Sequence, residues 1–246
     1  MVSPVHTYPA VSAAEFRVLE MTMKGHKGEG CAEENQDRIL YRKIFAADTE
    51  LHLLAVADGV SRCPRGGDVA GYLVERHLAV DSLFEEGCSS YPLPLRRYLL
   101  ELNDRFYNEF ATDSTMLESA ATLSLALLEN NVAHCEWVGD SPIFVARKEG
   151  SRFVTSQVTK PDLCGRLLVD CFGAHAPFQI KYREVELAPG DVLVVATDGA
   201  VRYVEELDSM INAYGPTPDL LNFIRRQARC CDYFDDASLV LAQRIR

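Results

Sequence analysis

Apolar positions along the chain change their spacing several times, and each change predicts an element. FRVLEMTMK (16–24) alternates and reads as a strand. RILYRKIF (38–45) and LHLLAVA (51–57) read as the next two, with AADTE as a hairpin-like connection. Over 66–86 the residues Val69, Leu73, Val74, His77, Leu78 and Val80 recur at helical spacing. A second amphipathic helix spans 93–111, with a proline at its start, where a missing N–H costs nothing. The period then returns to strands: ATLSLALLE (121–129), VAHCEWV (132–138) and IFVAR (143–147). Their turns are too short for parallel crossovers, so they form an antiparallel meander. Residues 156–179 have mixed polarity, with Pro161, Gly165, Gly173 and Pro177, and read as a flap-like insertion. YREVEL and DVLVVAT are strands around the turn APG, a helix covers 217–230, and ASLVLAQRI is the last strand. With no repeat and no linker, this order predicts one α+β domain over 15–246 behind a loose arm, 1–14.

Composition narrows the function classes. The 246 residues allow one large domain or two small ones, and 48% hydrophobic with 25% charged residues is ordinary for a globular chain. That balance excludes disorder, collagen and coiled coil. With 36 acidic against 25 basic residues the net charge is −11, which argues against a nucleic-acid binder. The acidic excess is either a solvated surface or carboxylates gathered on metal ions, and net charge alone does not choose. Eight cysteines (31, 63, 88, 135, 164, 171, 230 and 231) include no C-x-x-C pair, which argues against structural zinc. The N-terminal stretch lacks the pattern of a signal peptide, and no apolar run reaches membrane-spanning length. The expectation is a cytoplasmic monomer with reduced thiols, Cys230–Cys231 being either two buried small hydrophobes or a redox-active vicinal pair.

The informative feature is the placement of certain aspartates. LHLLAVA ends in Asp58-Gly59, AHCEWV in Gly139-Asp140-Ser141, and DVLVVAT in Asp198-Gly199. The last strand opens with Asp235-Asp236, and Asp37 stands just ahead of the second strand. Turn chemistry accounts for any one of these, since Asp and Gly are favoured wherever a strand stops. Turns account less well for the set: LLAVADG and LVVATDG are nearly one phrase, and neither leads into a tight hairpin. A carboxylate at the end of a buried apolar strand is poorly solvated and needs a partner. A shared hard divalent cation is such a partner.

ENQDR, VADGVSRCPRGGDVA, WVGDSPIFVAR, VATDGAVRYV and DDASLVL, in this order, resemble the motif series of the metal-dependent protein phosphatases of type 2C, in their compact bacterial form. The resemblance runs from about residue 20 to the C-terminus. It implies a four-layer α-β-β-α sandwich, two antiparallel sheets flanked by helices, with two or three Mn2+ or Mg2+ ions at one end. By motif match Asp58 would bridge two metals and the carbonyl of Gly59 would ligate one. Asp198 and Asp235 would complete the other, and Asp37 would lie beside them, directly or through water. Asp140 matches a third, weaker metal position, and Asp236 has a supporting role. The implied activity is hydrolysis of phosphoserine and phosphothreonine in proteins by a hydroxide held between the metals. A phosphorylated protein is then the substrate and a cognate Ser/Thr kinase the natural counterpart.

Three positions depart from the family's pattern. Ala32 stands where many members carry an Arg that grips the phosphate; Lys24, His26, Lys27, Arg62 and Arg65 are the candidate substitutes, Lys27, Arg62 and Arg65 foremost. Val60 stands where eukaryotic members often have His, and GDSR reads GDSP here. Cysteine-based phosphatase chemistry is excluded, because no cysteine has an Arg six positions later. No G-x-S-x-G elbow and no complete P-loop occurs. The rival reading is a pseudophosphatase, the same fold retained as a binding or regulatory module.

Overall fold

Runs such as LHLLAVA and VLVVA are apolar at nearly every position because their strands are covered on both faces. The computed structural model describes residues 14–26, 34–46, 49–78, 93–164, 167–173, 179–200, 207–230 and 234–246. In chain order the strands are β1 (Phe16–Met23), β2 (Asp37–Ala46), β3 (Thr49–Asp58), β4 (Leu123–Glu129), β5 (Val132–Val138), β6 (Ile143–Glu149) and β7 (Arg152–Gln157). Then come β8 (Leu163–Cys164), β9 (Leu167–Leu168), β10 (Lys181–Glu186), β11 (Val192–Ala196) and β12 (Ala237–Arg244). The helices are α1 (Gly66–Gly71), continued as a π-type stretch over Tyr72–His77, α2 (Leu93–Glu109), α3 (Ser114–Leu117), α4 (Leu207–Tyr214) and α5 (Pro218–Arg229).

Two five-stranded antiparallel sheets, β1-β12-β11-β6-β7 and β10-β5-β4-β3-β2, lie face to face, and β8-β9 form a separate small pair. Strand alternation splits the core into three layers. Leu54 and Val56 of β3 meet Leu193 and Val195 of β11 between the sheets. Leu53 and Ala55 point the other way, toward Leu73, Leu99 and Phe106 of the α1–α2 side. On the opposite flank Val192 and Val194 pack under Met210, Ile211, Leu220 and Ile224 of α4 and α5. Three apolar layers between four layers of structure match the expected α-β-β-α sandwich.

Several details differ from the sequence reading. β7 was not expected: it is an edge strand paired only with β6, so half-exposure leaves it little apolar signal. α4 was not expected either, although Leu207, Met210 and Ile211 do recur at i, i+3, i+4 on its buried face. The 156–179 flap contains the β8–β9 pair, anchored where Asp162 accepts the Gly139 N–H at 3.0 Å. Cys230 is exposed, against the expectation of burial, and Cys231 lies outside the described residues. The proposed arm, 1–14, lies outside them too except for its last residue, and the helix expected over 66–86 is described only to residue 78.

One buried charge is out of place in this packing. Glu136 of β5 sits opposite Leu125 and Tyr182, on the face covered by α2, at 1% exposure. Both carboxylate oxygens lack a hydrogen-bond partner. Burial pushes its pKa up to about 8, opposed by the Arg96 charge. A folded-state pKa above the unfolded value means stability present at low pH and lost as pH rises through about 8. Replacing Glu136 with Gln should therefore flatten the decline of urea stability between about pH 5 and pH 8. Equal slopes in variant and wild type would contradict this.

Candidate functional site

The ends of β2, β3, β11 and β12 that share one edge of the sandwich carry the aspartates singled out by the sequence. Asp37 opens β2 and Asp58 closes β3, and the antiparallel register sets them directly opposite. Asp198 stands two residues beyond β11, and Asp235 two residues ahead of β12, in a pair whose register joins Ala196 to Leu239. Antiparallel pairing thus brings four distant sequence positions to one place.

Electrostatics show that their charges act on one another. Asp58 has its pKa raised well above the ordinary carboxylate value, first by burial and then by the charges of Asp37 and Asp198, a hydrogen bond with Asp198, and Asp235. Burial pushes Asp37 up to about 7; hydrogen bonds from Thr197 and Ser238 counteract this, while the charges of Asp236 and Asp198 add to it. Burial and the charge of Asp198 also raise Asp140. Asp198 itself is exposed at the mouth of the cluster.

A polar frame holds these carboxylates in place. The Thr197 hydroxyl donates to Asp37 Oδ2 at 2.8 Å and accepts the Ser238 N–H at 3.0 Å. Ser238 and Thr22 share a hydroxyl contact of 2.8 Å, and Asn35 donates to that Thr22 oxygen at 2.8 Å. Asn35 also accepts the Asp37 N–H at 2.8 Å. The Asp58 N–H donates to Thr122 Oγ1 at 3.2 Å, and Thr122 in turn meets Ser141 of the GDS motif at 2.6 Å. Sequence reasoning missed Thr197, Ser238, Thr22, Asn35 and Thr122. The first two sit inside the VATDG and DDAS phrases, but their hydroxyls become informative only once β11 lies beside β12.

The set fits hard cations. Asp37 Oδ1 is buried without a hydrogen-bond partner, although its sister oxygen is satisfied. Such an orphaned oxygen beside three further carboxylates calls for positive charge, and an all-oxygen donor set suits Mg2+ or Mn2+. Among the described residues no group of three acidic, His or Cys side chains is already drawn together around a common point.

Cations for a phosphate are scarcer. Arg65 is committed to Asp68 at 2.5 Å and Asp113 at 2.9 Å, so this expected phosphate ligand is engaged elsewhere. Arg62 is exposed in the turn after Asp58, and Lys27 and Ala32 lie outside the described residues. A groove of about 520 Å³ runs along α1, lined by Arg38, Arg65, Glu75 and Arg76. Its other two arginines are also paired, Arg38 with Glu75 at 2.9 Å and Arg76 with Glu109 at 2.6 Å.

Known proteins share this fold. Solved structures of similar fold include the serine/threonine phosphatase Stp1 from Staphylococcus aureus, at 17% identity and a TM-score of 0.74, covering 98% of this chain and 99% of that one. PppA of Pseudomonas aeruginosa, described as a key regulatory component of T6SS, matches at 19% and 0.73, over 95% of this chain and 99% of that one. The catalytic domain of the phosphatase PstP, solved with two manganese ions, matches at 16% and 0.73, over 96% of this chain and 100% of that one. No curated protein matches. At such identities the likeness is one of fold, but the sequence model for protein phosphatase 2C matches residues 25–241. The chain therefore belongs to the protein phosphatase 2C family.

Proposed function

We propose that this protein is a metal-dependent serine/threonine protein phosphatase. The observation that carries the reading is the meeting of Asp58 with Asp37, Asp198 and Asp235 beside a buried, unpartnered Asp37 oxygen. Asp37, Asp58, Asp198, Asp235 and the Gly59 carbonyl would hold two Mn2+ or Mg2+ ions, with Asp140 toward a weaker third. Bound there, the cations supply an activated water for in-line attack on phosphorus and offset charge on the phosphoryl oxygens. The chain's own contribution is orientation: Thr197 aims Asp37, and Thr122 fixes the backbone of Asp58. Arg62, exposed in the turn after Asp58, is the cation we assign to a substrate phosphate. The substrate class is a phosphorylated protein, opposed by a cognate kinase. A second reading, a pseudophosphatase that binds without turnover, is favoured by the commitment of Arg65 to Asp68 and Asp113.

Hydrolysis of p-nitrophenyl phosphate and of a phosphothreonine peptide with Mn2+ separates the two. Active enzyme should lose all turnover in EDTA, and Asp58→Asn should cost about a hundredfold or more in kcat/KM. Turnover that persists in EDTA overturns the mechanism. Mn2+ binding without turnover on either substrate supports the pseudophosphatase.

The raised pKa values of Asp37 and Asp58 carry a second test. Their contribution to metal-free stability is present at low pH and lost as pH rises through about 7 for Asp37. Thermal melts in EDTA should therefore show a lower Tm at pH 8 than at pH 6. Saturating Mn2+ should raise Tm more at pH 8, where no protons need displacing. An equal Mn2+ shift at both pH values would contradict this reading of the site.

A further inference from the structure

The groove along α1 begins at the acidic site itself. Gly67 of its wall lies against Gln36: a Cβ on Gly67 would fall 3.2 Å from the Gln36 Cα. Gln36 in turn accepts the Gly59 N–H at 3.2 Å. Arg38, also in the wall, donates through one guanidinium nitrogen to the carbonyls of Asn35 at 2.7 Å and Asp37 at 2.9 Å. One end of the groove is thus fastened to the segments that carry Asp37 and Gly59. From there it follows α1 and the π-type continuation, which contributes Tyr72, Glu75 and Arg76. Its volume of about 520 Å³ is that of a ligand pocket, more than a lone phosphate needs.

The charges of the walls select what can enter. Among the described residues, three guanidiniums there meet four carboxylates: Arg38 pairs with Glu75, Arg65 with Asp68 and Asp113, and Arg76 with Glu109. An anionic ligand would have to break one of these pairs and then sit among the carboxylates. A cationic ligand breaks none. Glu75 meets Arg38 through Oε1 and Asp68 meets Arg65 through Oδ2. Oε2 of Glu75 and Oδ1 of Asp68 remain, on side chains 64% and 52% exposed, to accept from a further cation.

The floor suits the stem of a basic side chain. Tyr72, Phe110 and Met116 form it, and they belong to the apolar cluster packed beneath α2. Lys and Arg lay their methylenes on such a surface while the charged head stays in water or on a carboxylate. The Arg76 guanidinium already lies 5.6 Å from the centre of the Tyr72 ring, so this floor accepts a cation on an aromatic face.

We propose that this groove docks a Lys- or Arg-bearing segment of the phosphoprotein substrate, adjacent in sequence to the phosphorylated residue, with Glu75 and Asp68 as acceptors; the identity of the ligand rests on the phosphatase reading above. The net charge of −11 attracts basic peptides to the whole molecule, so the groove is distinguished by a control elsewhere. Glu149 provides it: it is exposed, lies in the other sheet, and ends β6 at the opposite end from the GDS turn.

The measurement compares phosphothreonine peptides of one length that carry two arginines, two glutamines or two glutamates beside the phosphothreonine. With Mn2+, kcat/KM should be about tenfold higher for the arginine peptide than for the glutamine one, mostly through KM, and the ratio should shrink as salt rises. Glu75→Lys should bring that ratio close to one. Glu149→Lys, with the same change in net charge, should keep most of it. A ratio taken within each variant is unaffected by a general loss of activity, and Asp68→Lys should act like Glu75→Lys if the latter does not fold. Equal rates on all three peptides overturn the proposal, as do a preference for the glutamate peptide and an equal fall of the ratio in both variants. Anisotropy titrations of the same peptides, fluorescein-labelled and in EDTA, separate docking from catalysis. Arginine-dependent binding that Glu75→Lys removes, with no hydrolysis of any phosphoester in Mn2+, overturns the phosphatase reading and supports the docking groove. Hydrolysis with no arginine preference overturns the groove alone. Neither binding nor hydrolysis overturns both.

Discussion

Like charges held together in a partly buried space constrain this protein more than any other interaction. Asp58 and Asp198 follow strands that are apolar at nearly every position, and Asp37 and Asp58 are themselves withdrawn from water, which cannot solvate them freely. Proteins meet such a problem by neutralising the groups with protons or by pairing them with cations. The raised proton affinity of Asp37 and Asp58 is the first answer, and the orphaned Asp37 oxygen marks where the second would act. The sandwich supplies rigidity against the repulsion, since each aspartate lies in or within two residues of a sheet strand.

Around that strained cluster the polar frame has one purpose, to keep the carboxylates aimed. Thr197, Ser238, Thr22 and Asn35 form a chain of hydrogen bonds that begins and ends on Asp37. Thr122 and Ser141 do the same between Asp58 and the GDS turn. Such networks are strong when complete because each member satisfies the next in a medium of low dielectric. The glycines pressed against the Asp235–Asp236 backbone belong to the same design: they permit an approach that any Cβ would block.

Much of this was legible in advance. Alternating or continuous apolar runs located β1 to β6 and β10 to β12 closely, because a strand covered on one face alternates and one covered on both is apolar throughout. Patterning failed where burial is partial: β7 lies on an edge and the β8–β9 pair stands apart from both sheets. The flap also illustrates the limit, since Asp162 accepting from Gly139 is what anchors it, and no local signal announces a bond across 23 residues. For the site, Asp-Gly phrases at strand ends named the acidic residues. Arg65 shows the opposite case: its position after Asp58 suggested a phosphate ligand, whereas Asp68 and Asp113 occupy its guanidinium.

The sequence by itself determined the element order, the acidic residues at strand ends and, through the order of five motifs, the family. These are local properties: periodicity reports which face is buried, and a motif reports chemistry at fixed spacing. The tertiary structure alone decided which aspartates meet, which arginines remain available, and that Asp236 turns toward backbone amides. Those outcomes depend on antiparallel register and on contacts between residues as far as 216 positions apart, which short-range patterning cannot encode.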